Sequence, residues 1–74
     1  MYKISDAARR AALTVKTVRY YADIDLVKPA GRSAAGYRLY EEADIAKLGS
    51  IGRARRYSFS IEQCRELLSL YEDD

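Results

Sequence analysis

Apolar residues recur at helical spacing in two short segments near the start of the chain. The first stripe, at positions i, i+3, i+4 and i+7, consists of Ile4, Ala7, Ala8 and Ala11. Ser5 and Asp6 are of residue types that favour helix starts, and we expect them to cap this segment. A second segment begins after Thr14, a good N-cap, and its inward-facing positions are Val15, Val18, Tyr21 and Ala22. The pattern therefore predicts two short helices joined by a tight turn, the arrangement of a helix-turn-helix.

The helical period is lost between positions 26 and 40. Two short extended runs, 26–27 and 37–40, are separated by Pro29, Gly31 and Gly36. Pro and Gly at these places supply turns, so the pattern predicts a two-stranded β ribbon whose loop projects as a wing. A ribbon of two strands is marginal by itself and is expected to rest on the helices.

Helical spacing returns after position 40. A third helix is predicted over 41–57, with acidic residues in its first turn and arginines in its last, the polarity that the helix dipole favours. Gly49 and Gly52 each cost this helix about 1 kcal/mol relative to Ala, so they need a close packing partner or a tolerance for lost stability.

The fourth helix has the clearest start. Ser60 and Gln63 have the spacing of a capping box, and Phe59 can pack on Cys64 one turn later. The predicted buried stripe of this helix is Ile61, Cys64, Leu67, Leu68 and Tyr71. The sequence thus predicts one mostly α domain, four helices with a short two-stranded wing, in which Cys64 is a small core residue rather than a ligand or redox thiol.

Length and composition narrow the function. The chain has 74 residues, no His and one Cys, and it can bury about two-thirds of its unfolded surface, enough for one small core but not for a deep substrate cleft. Without His there is no imidazole base, and one Cys cannot form an internal disulfide. We therefore expect a non-enzymatic domain with no cofactor or metal. Since no apolar run is long enough to cross a membrane, we also expect it to be soluble and cytoplasmic.

The charge is distributed unevenly. Residues 1–59 hold twelve basic and six acidic residues, a net charge of +6, whereas residues 60–74 hold one basic and five acidic residues, a net charge of −4. A basic body with an acidic end is expected of a nucleic-acid binder, although a solvated charged surface has the same composition.

Cationic residues form clusters on three predicted elements. The outer face of the second helix carries Lys16, Thr17, Arg19 and Tyr20, which supply phosphate donors and groups for base edges. The wing carries Arg32, Tyr37 and Arg38. The third helix ends on Arg53, Arg55 and Arg56. A solvated helix face explains one such cluster, whereas three clusters are better explained by nucleic-acid binding.

Tyrosines are unusually frequent, seven against one Phe and no Trp. Such rings pack on one side and donate a hydrogen bond on the other. Three are expected in the core, namely Tyr21, Tyr57 and Tyr71. Three others could contact phosphate or sugar, namely Tyr20, Tyr37 and Tyr40.

Several blocks of sequence together resemble a known family. The blocks are 4–8, 13–21, 36–40, 53–55 and 59–62, and they include T-V-R-Y-Y and G-Y-R-x-Y. They resemble the N-terminal DNA-binding domain of MerR-type transcriptional regulators, with the copper-responsive and other metal-responsive branch most similar. The resemblance implies a winged helix-turn-helix that binds a palindromic promoter element in double-stranded DNA as a homodimer. It further implies that the DNA is distorted so that RNA polymerase can use a badly spaced promoter.

The family pattern also implies which residues contact DNA. On the second helix the matching groove and phosphate contacts are Thr14, Lys16, Arg19 and Tyr20, followed by Tyr21. In the wing the matching backbone contacts are Arg32, Ser33, Tyr37 and Arg38. One further contact, from the third helix, is Arg55.

The chain also departs from the family pattern. The family commonly has Gly where this chain has Ala12, Asp25 and Ser58, positions just past helix ends where a left-handed backbone is expected and a non-Gly residue costs about 1 kcal/mol, least for Asp. Family members continue into a dimerisation helix and an effector-binding segment, so residues 1–74 are expected to be the DNA-binding domain alone, monomeric or weakly associating. Two alternatives remain, a naturally short DNA-architectural factor of the excisionase kind and a protein-interaction module whose arginines meet an acidic partner.

Overall fold

The computed structural model describes residues 1–71 as four helices and three very short strands. In chain order these are β1 (Tyr2–Lys3), α1 (Ile4–Arg10), α2 (Val15–Asp23), β2 (Gly31–Arg32), β3 (Arg38–Tyr40), α3 (Glu42–Arg56) and α4 (Ile61–Ser69). The architecture is the predicted winged helix-turn-helix: α1 and α2 form the helix-turn-helix, and β2 and β3 form the wing. No helix within residues 1–71 is long and apolar enough to cross a membrane.

The sheet differs from the predicted ribbon in two respects. Its order is β1-β3-β2 with antiparallel pairing, so the N-terminal strand β1 adds a third member and places Tyr2 opposite Tyr40. The wing pair is β2 with β3, in which Arg32 lies opposite Arg38. The run 26–27 is not a strand, because the amides of Leu26 and Val27 both bond the carbonyl of Tyr21 at the end of α2.

Two of the predicted helix caps are confirmed. The Thr14 hydroxyl oxygen accepts the Thr17 amide at 3.1 Å at the start of α2. At the start of α4, the Ser60 hydroxyl oxygen accepts the Gln63 amide at 3.1 Å, and the Gln63 side chain accepts the Ser60 amide at 2.8 Å, which completes the capping box. These caps depend only on neighbouring residues, which is why the sequence could predict them.

The expected cap of the first helix is wrong. The N-cap of α1 is Lys3, and no side chain caps it. Ser5 and Asp6 lie inside the first turn, because pairing of β1 with β3 brings the chain into α1 earlier than the cap signal suggested. Asp6 instead forms an ion pair with Arg9 at 2.8 Å.

Three helices end on a left-handed residue that is not Gly. The residues just past α1, α2 and α3 are Ala12 at φ 59°, Asp25 at φ 58° and Ser58 at φ 67°. In each case the following amide bonds the carbonyl five residues back, in the pairs Leu13 to Ala8 (2.8 Å), Leu26 to Tyr21 (2.8 Å) and Phe59 to Ala54 (3.1 Å). This is the Schellman arrangement, which normally uses Gly at the left-handed position. The left-handed backbone expected at these three departures is confirmed.

One continuous core joins the helices to the sheet. Its buried apolar residues are Ala7, Ala8, Ala11, Val18, Tyr21, Leu26, Val27, Tyr40, Ile45, Leu48, Ile51, Ala54, Cys64 and Leu68. Cys64 is fully buried, so its predicted position in the core is confirmed, and this burial raises the pKa of its thiol. Arg65 of α4 donates to the Ile24 carbonyl at 2.7 Å, which ties α4 to the end of α2.

The tyrosines are distributed differently from the prediction. Tyr21 is in the core as expected, but Tyr57 is 80% exposed, so its core assignment is wrong. Tyr71 is 48% exposed, and its hydroxyl forms a hydrogen bond with that of the buried Ser50. Tyr40, expected at the surface, is fully buried, because β3 is the central strand of the sheet.

The two helical glycines have different surroundings. A Cβ on Gly52 would lie 3.1 Å from Leu13 Cδ2, so the turn between α1 and α2 packs against the bare backbone of α3 there. A Cβ on Gly49 would lie 3.5 Å from Arg53 Nη1, an ordinary contact. Gly52 therefore has the close partner that the sequence required, and Gly49 does not.

Candidate nucleic-acid interface

The outer face of α2 is polar because its inner face is anchored in the core. Val18 is fully buried and Tyr21 is 5% exposed, which turns Lys16, Arg19 and Tyr20 toward solvent. Half of the Tyr20 surface is exposed, and its ring lies 5.8 Å from that of Tyr21, measured between centroids. The predicted cationic and aromatic face is therefore present on one side of α2.

Thr14 and Thr17 are linked to each other at the start of α2. Besides capping the helix, the Thr14 hydroxyl donates to Thr17 Oγ1 at 2.9 Å. The Thr17 hydroxyl accepts in this pair and keeps its own proton for another acceptor. Of these two predicted contact residues, Thr17 is therefore the better placed to donate to a ligand.

The wing turn is held by its own side chains. Ser33 Oγ accepts the Tyr37 amide at 3.1 Å, and the Arg32 guanidinium donates to the Gly36 carbonyl at 3.0 Å. Gly36 has φ 88°, a conformation that a side chain would strain. These contacts fix the turn and leave Tyr37 60% exposed at its edge.

One open groove of about 460 Å³ lies where β1, α2 and the wing meet. We call it the basic groove, and its lining residues are Lys3, Ile4, Ser5, Arg19, Arg32, Gly36, Tyr37 and Arg38. Four of these residues are cations from separate parts of the chain, and none of the described residues that line the groove is acidic. Converging positive charge of this kind attracts an anionic backbone. This attraction becomes stronger when water is displaced from the groove.

The sequence-predicted residues are only partly brought together. Arg19, Arg32, Tyr37 and Arg38 line the basic groove, whereas Thr14, Lys16, Thr17, Tyr20, Tyr21, Ser33 and Arg55 do not. Lys3 was missed; its ammonium nitrogen lies 5.3 Å from the centre of the Tyr37 ring. The pairing of β1 with β3 places Lys3 there, and a strand of two residues has no periodic signal that could have revealed it.

Arg38 differs from the other groove cations. Its Nη2 lies 3.6 Å from Asp23 Oδ1, and its side chain is only 25% exposed. Its Nη1 is buried and has no hydrogen-bond partner among residues 1–71. Arg38 therefore borders the basic groove while also reaching back to the end of α2.

Tyr21 and Arg55 form a separate contact at the end of α3. Burial raises the pKa of the Tyr21 hydroxyl, and the Arg55 guanidinium beside it offsets part of this effect. Arg55 also donates to the Phe59 carbonyl at 2.7 Å, which holds the turn between α3 and α4. The Tyr21 ring is buried, which confirms its predicted core position, and the DNA contact predicted for this residue stays a prediction.

Residues 1–71 contain no group of three or more His, Cys, Asp or Glu side chains placed to hold a metal ion. The cationic and aromatic surface of the described chain is built from α2, β1 and the wing.

Comparisons with known proteins find a matching family and similar relatives. The family model described as MerR HTH family regulatory protein matches residues 2–70. The HTH-type transcriptional regulator HmrR of Rhizobium leguminosarum bv. viciae is 49% identical over 70 residues, which is 95% of this chain and 54% of the relative. The HTH-type transcriptional regulator ZntR of Escherichia coli (strain K12) is 41% identical over 73 residues, 99% of this chain and 52% of the relative.

A solved structure has the same fold. The transcription regulator PbrR691 from Ralstonia metallidurans CH34, in complex with lead(II), superposes with a TM-score of 0.83 at 32% identity, covering 97% of this chain and 56% of that one. The chain spans about half the length of the curated relatives it matches.

Proposed function

This chain belongs to the MerR family of helix-turn-helix regulatory proteins, and we propose that it binds double-stranded DNA in a sequence-specific manner to regulate transcription. The observation that carries the proposal is the basic groove, in which Arg19 of α2, Arg32 and Arg38 of the wing and Lys3 of β1 converge. These cations come from four elements, α2, β1, β2 and β3, that only the fold brings together. A solvated surface does not require such convergence.

The geometry favours insertion of α2 into the major groove. Its outer face offers Arg19 and Lys16 as cations and Thr17 as a neutral donor, the types that read base edges and phosphates. The wing then lies beside the helix, where Arg32 and Tyr37 can reach the adjacent sugar-phosphate backbone or minor groove. In this arrangement Lys3, whose ammonium lies over the Tyr37 ring, adds a phosphate contact.

The regulatory step proposed for the intact protein is distortion of a promoter. A homodimer would engage both halves of a palindromic element, and the bound DNA would be reshaped for use by RNA polymerase in the cytoplasm. The family membership and the regulators among the relatives support this step. Residues 1–74 would be the DNA-reading domain, without catalytic activity or cofactor. Alone they would bind weakly, because a single domain loses the effective-concentration gain of two linked sites.

The test uses Arg19→Ala with Arg9→Ala as its matched control. Both changes remove one guanidinium, but Arg9 lies on α1 and does not line the basic groove. Binding is measured by fluorescence anisotropy, at several salt concentrations, to a duplex selected by this chain from a random-sequence pool and to a scrambled duplex. If Arg19 reads a base, Arg19→Ala weakens binding to the selected duplex by about 1–3 kcal/mol and much less to the scrambled one.

The salt dependence separates DNA binding from the protein-interaction alternative. For the unmodified chain, log affinity should fall linearly with log salt in proportion to the phosphates contacted. If Arg19→Ala weakened binding equally to both duplexes, Arg19 would contact phosphate only and would not read a base. No binding to any duplex at low salt would refute the proposal and would favour the protein-interaction alternative.

A further inference from the structure

One ion pair joins the last residue of α2 to the first residue of the central strand β3. Asp23 Oδ1 lies 3.6 Å from Arg38 Nη2. β3 pairs with β2 on one side and β1 on the other, so whatever fixes Arg38 relative to α2 fixes the wing as well. The Asp23–Arg38 pair is thus a direct link between the wing and the helix proposed to enter the major groove.

Arg38 is held inward. Its side chain is 25% exposed, and its Nη1 is buried without a hydrogen-bond partner among residues 1–71. A partly buried guanidinium needs a counter-charge, and within the described chain the carboxylate that supplies it is that of Asp23. Arg38 is therefore in a position to act through the wing, whereas Arg32 and Lys3 are the more exposed cations of the basic groove.

Asp23 is in an unfavourable place for an acidic residue in two respects. It lies at the C-terminal end of α2, where the helix dipole disfavours negative charge. It also lies on the helix proposed to meet DNA phosphates, which repel it. Its side chain is 62% exposed, so the core does not require it there.

We propose that Asp23 is a positioning residue, which fixes the wing against α2 through Arg38 so that helix and wing are prearranged for DNA; the proposal rests on the proposed function. Ordering the wing before binding lowers the entropy lost on association. Simple electrostatics predicts that neutralising Asp23 strengthens DNA binding, because it removes a negative charge from the binding surface. The positioning role predicts the opposite, namely weaker binding.

The variant is Asp23→Asn, and its matched control is Asp6→Asn. Asp6 is also exposed and also paired with an arginine, but it lies in the first turn of α1. Asp23→Asn is expected to bind the selected duplex about two- to fivefold more weakly, the range that corresponds to an exposed ion pair. Its melting temperature should change little, because the lost ion pair with Arg38 and the relief of the unfavourable helix dipole act in opposite directions. Asp6→Asn should show the reverse pattern, with unchanged or tighter binding and a slightly lower melting temperature.

A double-mutant cycle identifies Arg38 as the intermediary. Arg38→Gln should weaken binding, and adding Asp23→Asn in that background should cause no further weakening, because only the repulsion between Asp23 and the phosphates is then left to remove. Additive effects of the two substitutions, or tighter binding by Asp23→Asn alone, would overturn the proposal.

A second readout does not involve DNA. The wing amides of Ala30 and Ser33 bond the carbonyls of Leu39 and Tyr37 at 2.8 Å each, and NMR hydrogen exchange reports their protection. Asp23→Asn should speed exchange at these two amides and leave the Cys64 amide of α4 unchanged. Unaltered exchange in the wing would overturn the positioning role. Failure of the unmodified chain to bind any duplex would instead refute the proposed function, so the two failures are distinguishable.

Discussion

Replacing Ala12 with Gly is expected to stabilise the domain. Ala12 follows α1 at φ 59°, and its amide and that of Leu13 complete the Schellman hydrogen bonds to Arg9 and Ala8. These bonds require the left-handed backbone, so the residue cannot relax to a right-handed conformation without losing them. Ala12 is exposed, and Gly would therefore remove strain without removing packing.

The magnitude follows from two opposing effects. A non-Gly residue in the left-handed region costs about 1–2 kcal/mol, whereas Gly increases the entropy of the unfolded chain at a cost of about 0.4–1 kcal/mol. The net gain is about 1 kcal/mol, which raises the melting temperature of a domain of this size by about 4–8 °C. Ser58→Gly should act similarly, and Asp25→Gly should gain least, because Asp tolerates this conformation better.

Thermal and urea unfolding followed by circular dichroism measure the effect. The matched control is Ala46→Gly, an exposed position in the middle of α3, where Gly should lower stability by about 1 kcal/mol. A midpoint that rises at an unchanged urea slope identifies a gain in stability. If Ala12→Gly lowered the midpoint as Ala46→Gly does, the account of strain at the ends of the helices would be wrong.

Two further predictions concern the core. Gly49→Ala should raise stability by about 0.5–1 kcal/mol in urea unfolding, since its Cβ would lie at an ordinary 3.5 Å from Arg53 Nη1. Gly52→Ala should gain less or lose stability, because its Cβ would lie 3.1 Å from Leu13 Cδ2 and the Leu13 side chain would have to move. Equal gains in the two variants would contradict this. Tyr40→Phe should not destabilise at pH 7, since the buried hydroxyl has no hydrogen-bond partner within residues 1–71. Burial raises the pKa of the Tyr40 hydroxyl above its usual 10.0, so the folded chain holds the hydroxyl proton more tightly than the unfolded chain, and stability declines as pH rises past that value. Melting temperatures measured between neutral and alkaline pH should therefore decline less in Tyr40→Phe. An identical decline would refute the assignment of this pH dependence to Tyr40.

The sequence predicted which side chains of the candidate site face solvent, but not which of them lie close together in the fold. Helical period alone places Arg19 and Tyr20 on the outer side of α2, because Val18 and Tyr21 must face the core. Whether Arg19 lies near Arg32 depends on how the wing packs on α2, and no local pattern encodes that. The DNA contacts assigned to these residues remain predictions until binding is measured.

The sequence by itself determined the features that depend on neighbours along the chain. The caps at Thr14 and Ser60 use hydrogen bonds that span three residues, and the left-handed positions were expected where the resembled family has Gly just past a helix end. Such signals are complete within one turn of helix.

Only the tertiary structure decided which short segments pair and which rings are buried. Strand β1 has two residues, too few for an alternating pattern, and an apolar pair such as Leu26-Val27 looks alike in a strand and in a buried turn. Tyr40 is buried and Tyr57 exposed because β3 lies at the centre of the sheet whereas Tyr57 caps the end of α3. The Asp23–Arg38 pair likewise joins residues fifteen positions apart, and a contact between distant residues exists only once the elements that carry them have packed.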